Sequence, residues 1–189
     1  LRLKGALKVS AGGPLKVHYD IAIAGAMAPR DLLAIWPTKL AQGARDFVAQ
    51  RIETATFSDV SIRTRIDSAA RAEGPLRNEE LAIGFNASDA RVFFAPGMKP
   101  LDGVSGRGLL EGNAFRFEAR DARIGGVRID DGVVDIPVLL PKGEMARFSF
   151  RADGDASEML AILDDEPLSL LKESGLKPAQ FSGRAVAEI

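Results

Sequence analysis

Apolar and polar residues alternate through residues 1–28, with one Gly-rich interruption. Leu3 and Val9 share a parity in the first run, and Val17 and Ile21 share a parity after the sequence AGGP. A period of two is typical of strands that bury one face. Because a Gly-rich turn joins the two runs, the pattern predicts a β-hairpin.

The spacing changes over residues 30–52. Leu32 and Trp36 cluster ahead of Pro37, and Phe47 belongs to an apolar set at helical spacing beyond it. We interpret this stretch as two short helices. Pro37 would lie at or near the start of the second helix, where its missing N–H does no harm.

Residues 54–153 return to the period of two. Gly112–Asn113, Gly125–Gly126 and Asp131–Gly132 each separate two alternating runs. Such pairs accept the positive φ angles of two-residue hairpin turns. The region therefore predicts a β-meander, and the whole chain about ten strands.

Two of the long runs change parity part of the way along. Val60 and Ile62 share a parity that Phe57 does not, and a bulge near Ser58–Asp59 would place all three on one face. A bulge near Arg120–Asp121 would likewise place Ile124 on the same face as Phe115 and Phe117. The apolar set predicted to share one face is Phe115, Phe117, Ile124, Val127, Ile129, Val134 and Ile136, and the polar set opposite is Arg116, Glu118, Arg123, Arg128 and Asp135.

Residues 155–175 are helical in pattern, and residues 179–189 alternate again. Asp155 followed by Glu158 is a capping box, and Asp165 can cap a second helix. The predicted order is β–αα–β–αα–β. The fold class is mainly β, an antiparallel sheet with two short helical hairpins.

Composition narrows the classes of function without selecting one. The 25 basic and 26 acidic residues give a net charge of −1, which provides no reason to expect nucleic acid as a partner. The absence of cysteine removes thiol chemistry. The longest uncharged apolar stretch, Ile21–Ala28, is far shorter than the ~20 residues that span a bilayer. Both ends stop inside strand-like alternation, so we expect a piece of a longer chain.

The sequence offers no catalytic or metal constellation. His18, the only histidine, lies on the polar parity of a strand without partners for a triad. The acidic residues 164–166 are interpreted as a helix-start cluster, and Asp130, Asp131 and Asp135 lack the spacing of a calcium loop. We therefore expect no enzyme activity, no metal and no cofactor.

The remaining signal is the apolar parity of many strands. One interpretation is an ordinary closed core, with helices or a second sheet covering the apolar side. The other is an apolar face that is only partly covered and holds a lipid or another apolar partner. Both demand the same alternation, so periodicity leaves the two open.

Several stretches carry a family resemblance. In order, the stretches IWPTKLAQGARDFVAQRI, ATFSDVSI, PLDGVSGRGLLEGNAFRFEARDARIGGVRIDDGVVDIP and ILDDEPLSLLKESGLKPAQFSGRA resemble the middle region of long AsmA-like proteins of Gram-negative bacteria, in the branch of YhdP-like and TamB-like proteins. The resemblance covers most of the chain from about residue 30 onward. It implies that residues 1–189 form one segment of an elongated, curved and repeating β-groove with helices at its edges.

The resemblance also implies a function. It implies an inner-membrane-anchored protein of the periplasm that conducts phospholipids toward the outer membrane and so serves outer membrane biogenesis. The expected partners are phospholipid acyl chains, neighbouring segments of the same chain and envelope proteins. The alternative is a non-catalytic structural or interaction module of the cell envelope with a closed β core. The groove candidates for lipid binding are Val60, Ile62, Ile66, Ile83, Phe85, Phe115, Phe117, Ile129, Val134, Ile136, Phe148 and Phe150.

Overall fold

The structure, a computed structural model, describes residues 2–9, 16–36, 38, 41–67, 74–141, 143–172 and 174–188. These residues form one sheet of nine strands, three α-helices and a 3-10 helix. The strands are β1 Arg2–Val9, β2 Lys16–Ala24, β3 Ile52–Asp67, β4 Leu81–Val92, β5 Leu101–Glu111, β6 Ala114–Ile124, β7 Val127–Ile136, β8 Arg147–Asp155 and β9 Arg184–Glu188. The helices are α1 Pro29–Ile35, α2 Gln42–Arg51, α3 Ala156–Asp164 and the 3-10 helix Pro178–Gln180.

The strands pair in chain order, so the sheet is a meander. Each strand is antiparallel to the next, and β1 and β9 lie at the two edges of a sheet that does not close. The prediction of a mainly β, antiparallel fold is confirmed. Pairing of β1 with β2 also confirms the hairpin predicted for residues 1–28, whose turn at residues 10–15 lies outside the described part of the chain.

Two of the three predicted two-residue turns are confirmed. Gly112–Asn113 joins β5 to β6, and Gly125–Gly126 joins β6 to β7. The first glycine of each turn has a positive φ, 52° and 59° respectively. Glycine adopts this left-handed conformation without a steric penalty, which explains its place there.

The third predicted turn is wrong, because Asp131–Gly132 lies inside β7. Asp131 has a φ of 50°, yet β6 pairs with β7 on both sides of it, so it is a local irregularity in a continuous strand. Asp89, with a φ of 51°, likewise lies inside one continuous strand, β4. The described residues form nine strands, close to the ten predicted.

Both predicted bulges are confirmed. The register between β3 and β4 shifts beside Asp59, which has a φ of 50°. The register between β5 and β6 shifts between Ala119 and Asp121, which leaves Arg120 as the extra residue. A bulge reverses the parity of the residues that follow it. The apolar side chains on either side of each bulge therefore stay on one face of the sheet.

Helices α1 and α2 pack on that apolar face. Leu32 of α1 and Val48 of α2 are buried against Ile23, Phe57 and Val60 of the sheet. The prediction of two short helices in this region is confirmed. Pro37, predicted to lie at or near the start of the second helix, falls outside the described residues, and α2 begins at Gln42.

Helix α3 packs on the same face further along the sheet. Its N-cap is Asp155, as predicted, whose carboxylate accepts hydrogen bonds from the N–H groups of Ser157 at 2.9 Å and Glu158 at 3.4 Å. The Ser157 hydroxyl and these N–H groups lower the pKa of Asp155. The Glu158 side chain does not complete a capping box; it accepts a hydrogen bond from Gly126 N at 2.7 Å.

The second predicted helical hairpin is wrong, because the chain after α3 forms turns where a second helix was expected. Ser169 has a φ of 47°, which interrupts helical geometry. Leu170 N donates to Leu163 O at 3.0 Å, and Leu171 N donates to Asp164 Oδ1 at 3.2 Å. The chain thus folds back on the end of α3. The two N–H groups donate to α3 and not to carbonyl groups of a new helix.

Candidate functional site

One side of the sheet, here called the apolar face, carries the apolar parity of β2 to β8. Apolar residues of one strand lie opposite apolar residues of the next, as in Ile62 opposite Ile83 and Phe117 opposite Val134. Because paired residues of adjacent strands project from the same side, these pairs extend one surface across the sheet. All twelve predicted groove candidates share this apolar parity, so the sequence identified the face correctly.

The other side of the sheet, here called the charged face, carries ion pairs between neighbouring strands. Arg91 bridges Glu53 at 3.0 Å and Asp102 at 3.4 Å across three strands. Arg184 of β9 contacts both carboxylate oxygens of Asp153 at 2.7 and 2.6 Å, and this pairing lowers the pKa of Asp153. Exposed pairs of this kind contribute little individually, so the charged face is a solvated surface.

Aromatic rings form a row in the middle of the apolar face. Phe57 meets Phe85 edge-on at 5.5 Å between ring centroids, and Phe85 lies 6.4 Å from Phe117. The row lies over glycines of β5. A Cβ added to Gly108 would come within 2.1 Å of the Phe85 ring, whereas one added to Gly106 would first meet the backbone oxygen of Glu118 at 2.2 Å and then the Phe117 ring at 2.9 Å. Gly108 therefore leaves the room that the Phe85 ring occupies.

Helices cover two regions of the apolar face. Val60 and Ile83, both predicted lipid contacts, are only 1% and 4% exposed. Val60 packs in the cluster that contains Leu32 and Val48, and Ile83 packs against Trp36 and the start of α2. Under α3 a separate cluster buries Met98, Ile124, Val127, Ala152 and Ile162. These regions have the burial of an ordinary core.

Between the helix-covered regions lies an apolar area that we call the open strip. It consists of Phe115, Phe117, Val134, Ile136, Phe148 and Phe150. Phe148 is 56% exposed, and the other members are half-buried. Val134 is the register partner of both Phe117 and Phe148, which makes the strip continuous across β6, β7 and β8.

The remaining predicted contacts are half-buried. Ile62 and Phe85 pack against the clusters beneath α1 and α2, and Ile129 packs against the cluster beneath α3. Ile66, at the far end of β3, pairs with Val17. The structure therefore brings the predicted residues onto one face, and of the twelve only Phe148 is exposed.

The connection between β7 and β8 adds exposed apolar residues that sequence reasoning missed. Leu140 is 55% and Met145 84% exposed. Asn113 holds this connection against the β5–β6 turn, because its side chain accepts from Leu140 N at 2.9 Å and donates to Leu140 O at 2.6 Å. The signal in the sequence is the apolar run at residues 138–140.

Among the described residues, the titratable groups are spread over the sheet and α3 and form no catalytic cluster. The acidic residues 164–166 lie at the end of α3 and not at a helix start as predicted, with Asp165 as the C-cap. Glu80 is 2% exposed and accepts from Arg77 N at 2.8 Å and from its guanidinium at 3.2 Å, which raises the pKa of Arg77. His18 lies on the charged face and is half-buried. Among the described residues, no group of three or more His, Asp or Glu could hold a metal ion.

Two shallow depressions lie on the charged face. One, of about 550 Å³, has a floor of small residues that includes Ala22, Ser61 and Gly84. The other, of about 320 Å³, is lined by Val133 and Ser149 among others. Charged side chains also line both depressions, Asp20, Arg63 and Glu111 in the first and Arg116, Asp135 and Arg147 in the second.

Comparison of the chain with protein-family models, curated proteins and solved structures finds no match. Within the described part of the chain, none of the helices has the length and apolar character needed to cross a membrane. Inference about function therefore rests on the two faces of the sheet.

Proposed function

We propose that this chain is a segment of a periplasmic, inner-membrane-anchored protein of the AsmA-like type, and that its apolar face conducts phospholipids toward the outer membrane. The observation that carries the proposal is the open strip, a continuous apolar surface across three strands in which Phe148 of β8 is more than half exposed. Exposed apolar surfaces of this kind mark binding sites for apolar partners.

Acyl chains need no reactive groups from the protein. Burying apolar surface contributes ~25 cal/mol per Å², and the effect has no directional requirement. A lipid can therefore slide along aliphatic and aromatic side chains of similar affinity. Val134, Ile136 and Phe148 provide such a surface, and the bulges at Asp59 and Arg120 keep the apolar parity continuous along the strands.

The alternative is a non-catalytic structural or interaction module of the cell envelope with a closed β core. The burial of Val60 and Ile83 beneath the helices favours it, because residues sealed in this way are not available to a passing lipid. The two proposals differ at the open strip. A conduit uses the strip for lipid, whereas a structural module uses it for packing against a protein.

Photo-crosslinking separates the two. A photoreactive residue placed at Ile136 of the full chain should crosslink to phospholipid from phosphatidylethanolamine vesicles. Phe148→Asp should reduce this crosslinking several-fold while circular dichroism shows the sheet intact, because a side chain 56% exposed can keep a charge in water.

The matched control is Glu118→Lys, on the charged face of β6. It should leave crosslinking from Ile136 unchanged. Absence of lipid adducts at Ile136, or equal yields from a probe at Glu118, would reject the conduit and leave the structural module.

A further inference from the structure

Helices α1 and α2 cover the apolar face with few buried side chains. Of the described residues in these two helices, only Leu32 of α1 and Val48 of α2 are buried. Ile35 and Phe47 are 45% and 44% exposed, so much of their apolar surface adds nothing to the contact with the sheet. A segment that buries so few apolar side chains opens locally at a lower free energy than a core strand.

The backbone joins these helices to the sheet at their two ends. Met27, just before α1, exchanges two hydrogen bonds with Phe57 of β3, both 2.9 Å long. At the other end, Arg51 O accepts from Phe93 N at 2.8 Å, and β3 begins at the next residue. Among the described residues, no backbone hydrogen bond connects α1 or the rest of α2 to the sheet. The two helices can therefore separate from the sheet without breaking a strand pairing.

The start of α2 contains features that weaken the helix. Ala41 has left-handed angles (φ 46°, ψ 53°), which are unfavourable for a residue with a Cβ, and it provides no side-chain cap. Gly43 lies in the first turn, where glycine is less stable than alanine. The Nε–H of Arg45 is buried and has no hydrogen-bond partner in the part of the chain that the structure describes, which is costly. Each feature lowers the free energy needed to open this region.

The surface beneath the two helices is apolar and continuous with the open strip. Phe57 and Val60, only 2% and 1% exposed, lie in the cluster that the helices cover. Phe117, a member of the open strip, packs against the same cluster. The aromatic row links Phe57 to Phe117 through Phe85. Separation of the helices from the sheet would therefore extend the open strip as far as Val60.

We propose that α1 and α2 form a lid, which opens while the sheet stays folded and admits a phospholipid acyl chain to the surface around Val60. This inference rests on the proposed function and adds a gated region to it. A ligand that binds only the open state shifts the population toward that state. A variant that stabilises the closed lid should therefore reduce lipid contact beneath the lid and leave contact at the open strip unchanged.

Amide hydrogen exchange of the full chain tests whether the lid opens. A Cβ added to Gly43 meets nothing within 4 Å, so Gly43→Ala stabilises α2 without changing its contacts. From helix propensity, amides of α2 should exchange ~fivefold more slowly in this variant, while those of β3 stay unchanged. Val48→Ala removes two methyl groups from the buried contact and should speed exchange in α2 about tenfold. The control Gly84→Ala adds a methyl group on the charged face and should change neither rate.

The sheet and the lid must respond separately. If the amides of α2 and β3 exchange at the same rate, and Gly43→Ala and Val48→Ala shift both alike, the helices belong to one cooperative unit with the sheet. That result would overturn the lid, whatever the lipid experiments show.

Photo-crosslinking tests whether the lid controls access of lipid. Ile62 is half-buried against the cluster beneath the helices, so a probe there reports on the gated region, whereas the probe at Ile136 reports on the open strip. With phosphatidylethanolamine vesicles, Gly43→Ala should lower the yield at Ile62 several-fold and Val48→Ala should raise it. Neither variant should change the yield at Ile136.

The two probes separate failure of the lid from failure of the conduit. Adducts at Ile136 together with a yield at Ile62 that ignores both variants would overturn the gate while the conduit stands. Absence of adducts at both positions would reject the conduit and with it the admission of lipid, and hydrogen exchange alone would then decide whether the helices open.

Discussion

Gly108→Ala tests whether the aromatic row on the apolar face depends on the glycines of β5. A Cβ at this position would lie 2.1 Å from Cζ of Phe85 and 2.5 and 2.7 Å from two further ring atoms. Carbon atoms in contact are separated by ~3.5 Å or more, so the ring must retreat by about 1.4 Å. It cannot do so freely, because Phe57 packs edge-on against it at 5.5 Å.

The expected cost has two parts. Overpacking of this kind costs ~1–3 kcal/mol, and loss of the edge-on ring contact adds ~0.5–1.5 kcal/mol. With a urea m-value of ~2 kcal/mol/M, the midpoint of unfolding should fall by about 1–2 M. Equilibrium urea unfolding followed by circular dichroism measures this shift.

Gly84→Ala is the matched control. Its Cβ would project on the charged face and meet only Ser61 Oγ, at 3.0 Å. A small side chain can rotate away, so we expect a change within about 0.5 kcal/mol.

The reasoning also predicts a coupling. Phe85→Leu shortens the group that clashes, so the double variant with Gly108→Ala should be at least ~1 kcal/mol more stable than the sum of the single effects predicts. Strict additivity, or a Gly108→Ala variant as stable as Gly84→Ala, would refute the account of the aromatic row.

Three further predictions follow from the same structure. Ile83→Asp should unfold the chain in circular dichroism, because a charge at a side chain 4% exposed has no partner, whereas Phe148→Asp should remain folded. The stability that Arg184 contributes through Asp153 should be present above the ordinary carboxyl pKa of 3.8 and be lost as pH falls through the lowered pKa of Asp153. Arg184→Gln should therefore match the wild type in strong acid only, and an equal difference at neutral and acidic pH would contradict the pairing. Asn113→Ala should cost ~1–2 kcal/mol and speed amide exchange at Leu140, because both hydrogen bonds to that residue are lost.

The sequence by itself determined the local structure of most strands and which face each side chain occupies. Period-two alternation, together with the parity changes near Asp59 and Arg120, was enough to assign side chains to a face. The reason is that the direction of a side chain along a strand follows from its position alone. The N-cap at Asp155 and the turn at Gly125–Gly126 could also be predicted, because each depends only on neighbouring residues in the sequence.

Local signals failed where another segment of the chain supplied a competing interaction. Asp131–Gly132 has turn chemistry, but continued pairing with the neighbouring strand β6 keeps it inside a strand. Asp165 can cap a helix, but Leu170 and Leu171, a few residues further on, bond back to the end of α3 instead. A turn dipeptide or a capping residue does not contain the information that decides between these outcomes.

Only the tertiary structure decided which part of the apolar face is sealed and which is open. Val60 and Phe148 both lie at apolar positions of an alternating run, yet Val60 is 1% exposed and Phe148 is 56% exposed. The difference arises from where α1, α2 and α3 lie on the sheet. No periodicity could predict that placement, because it depends on contacts between elements and not on spacing within them.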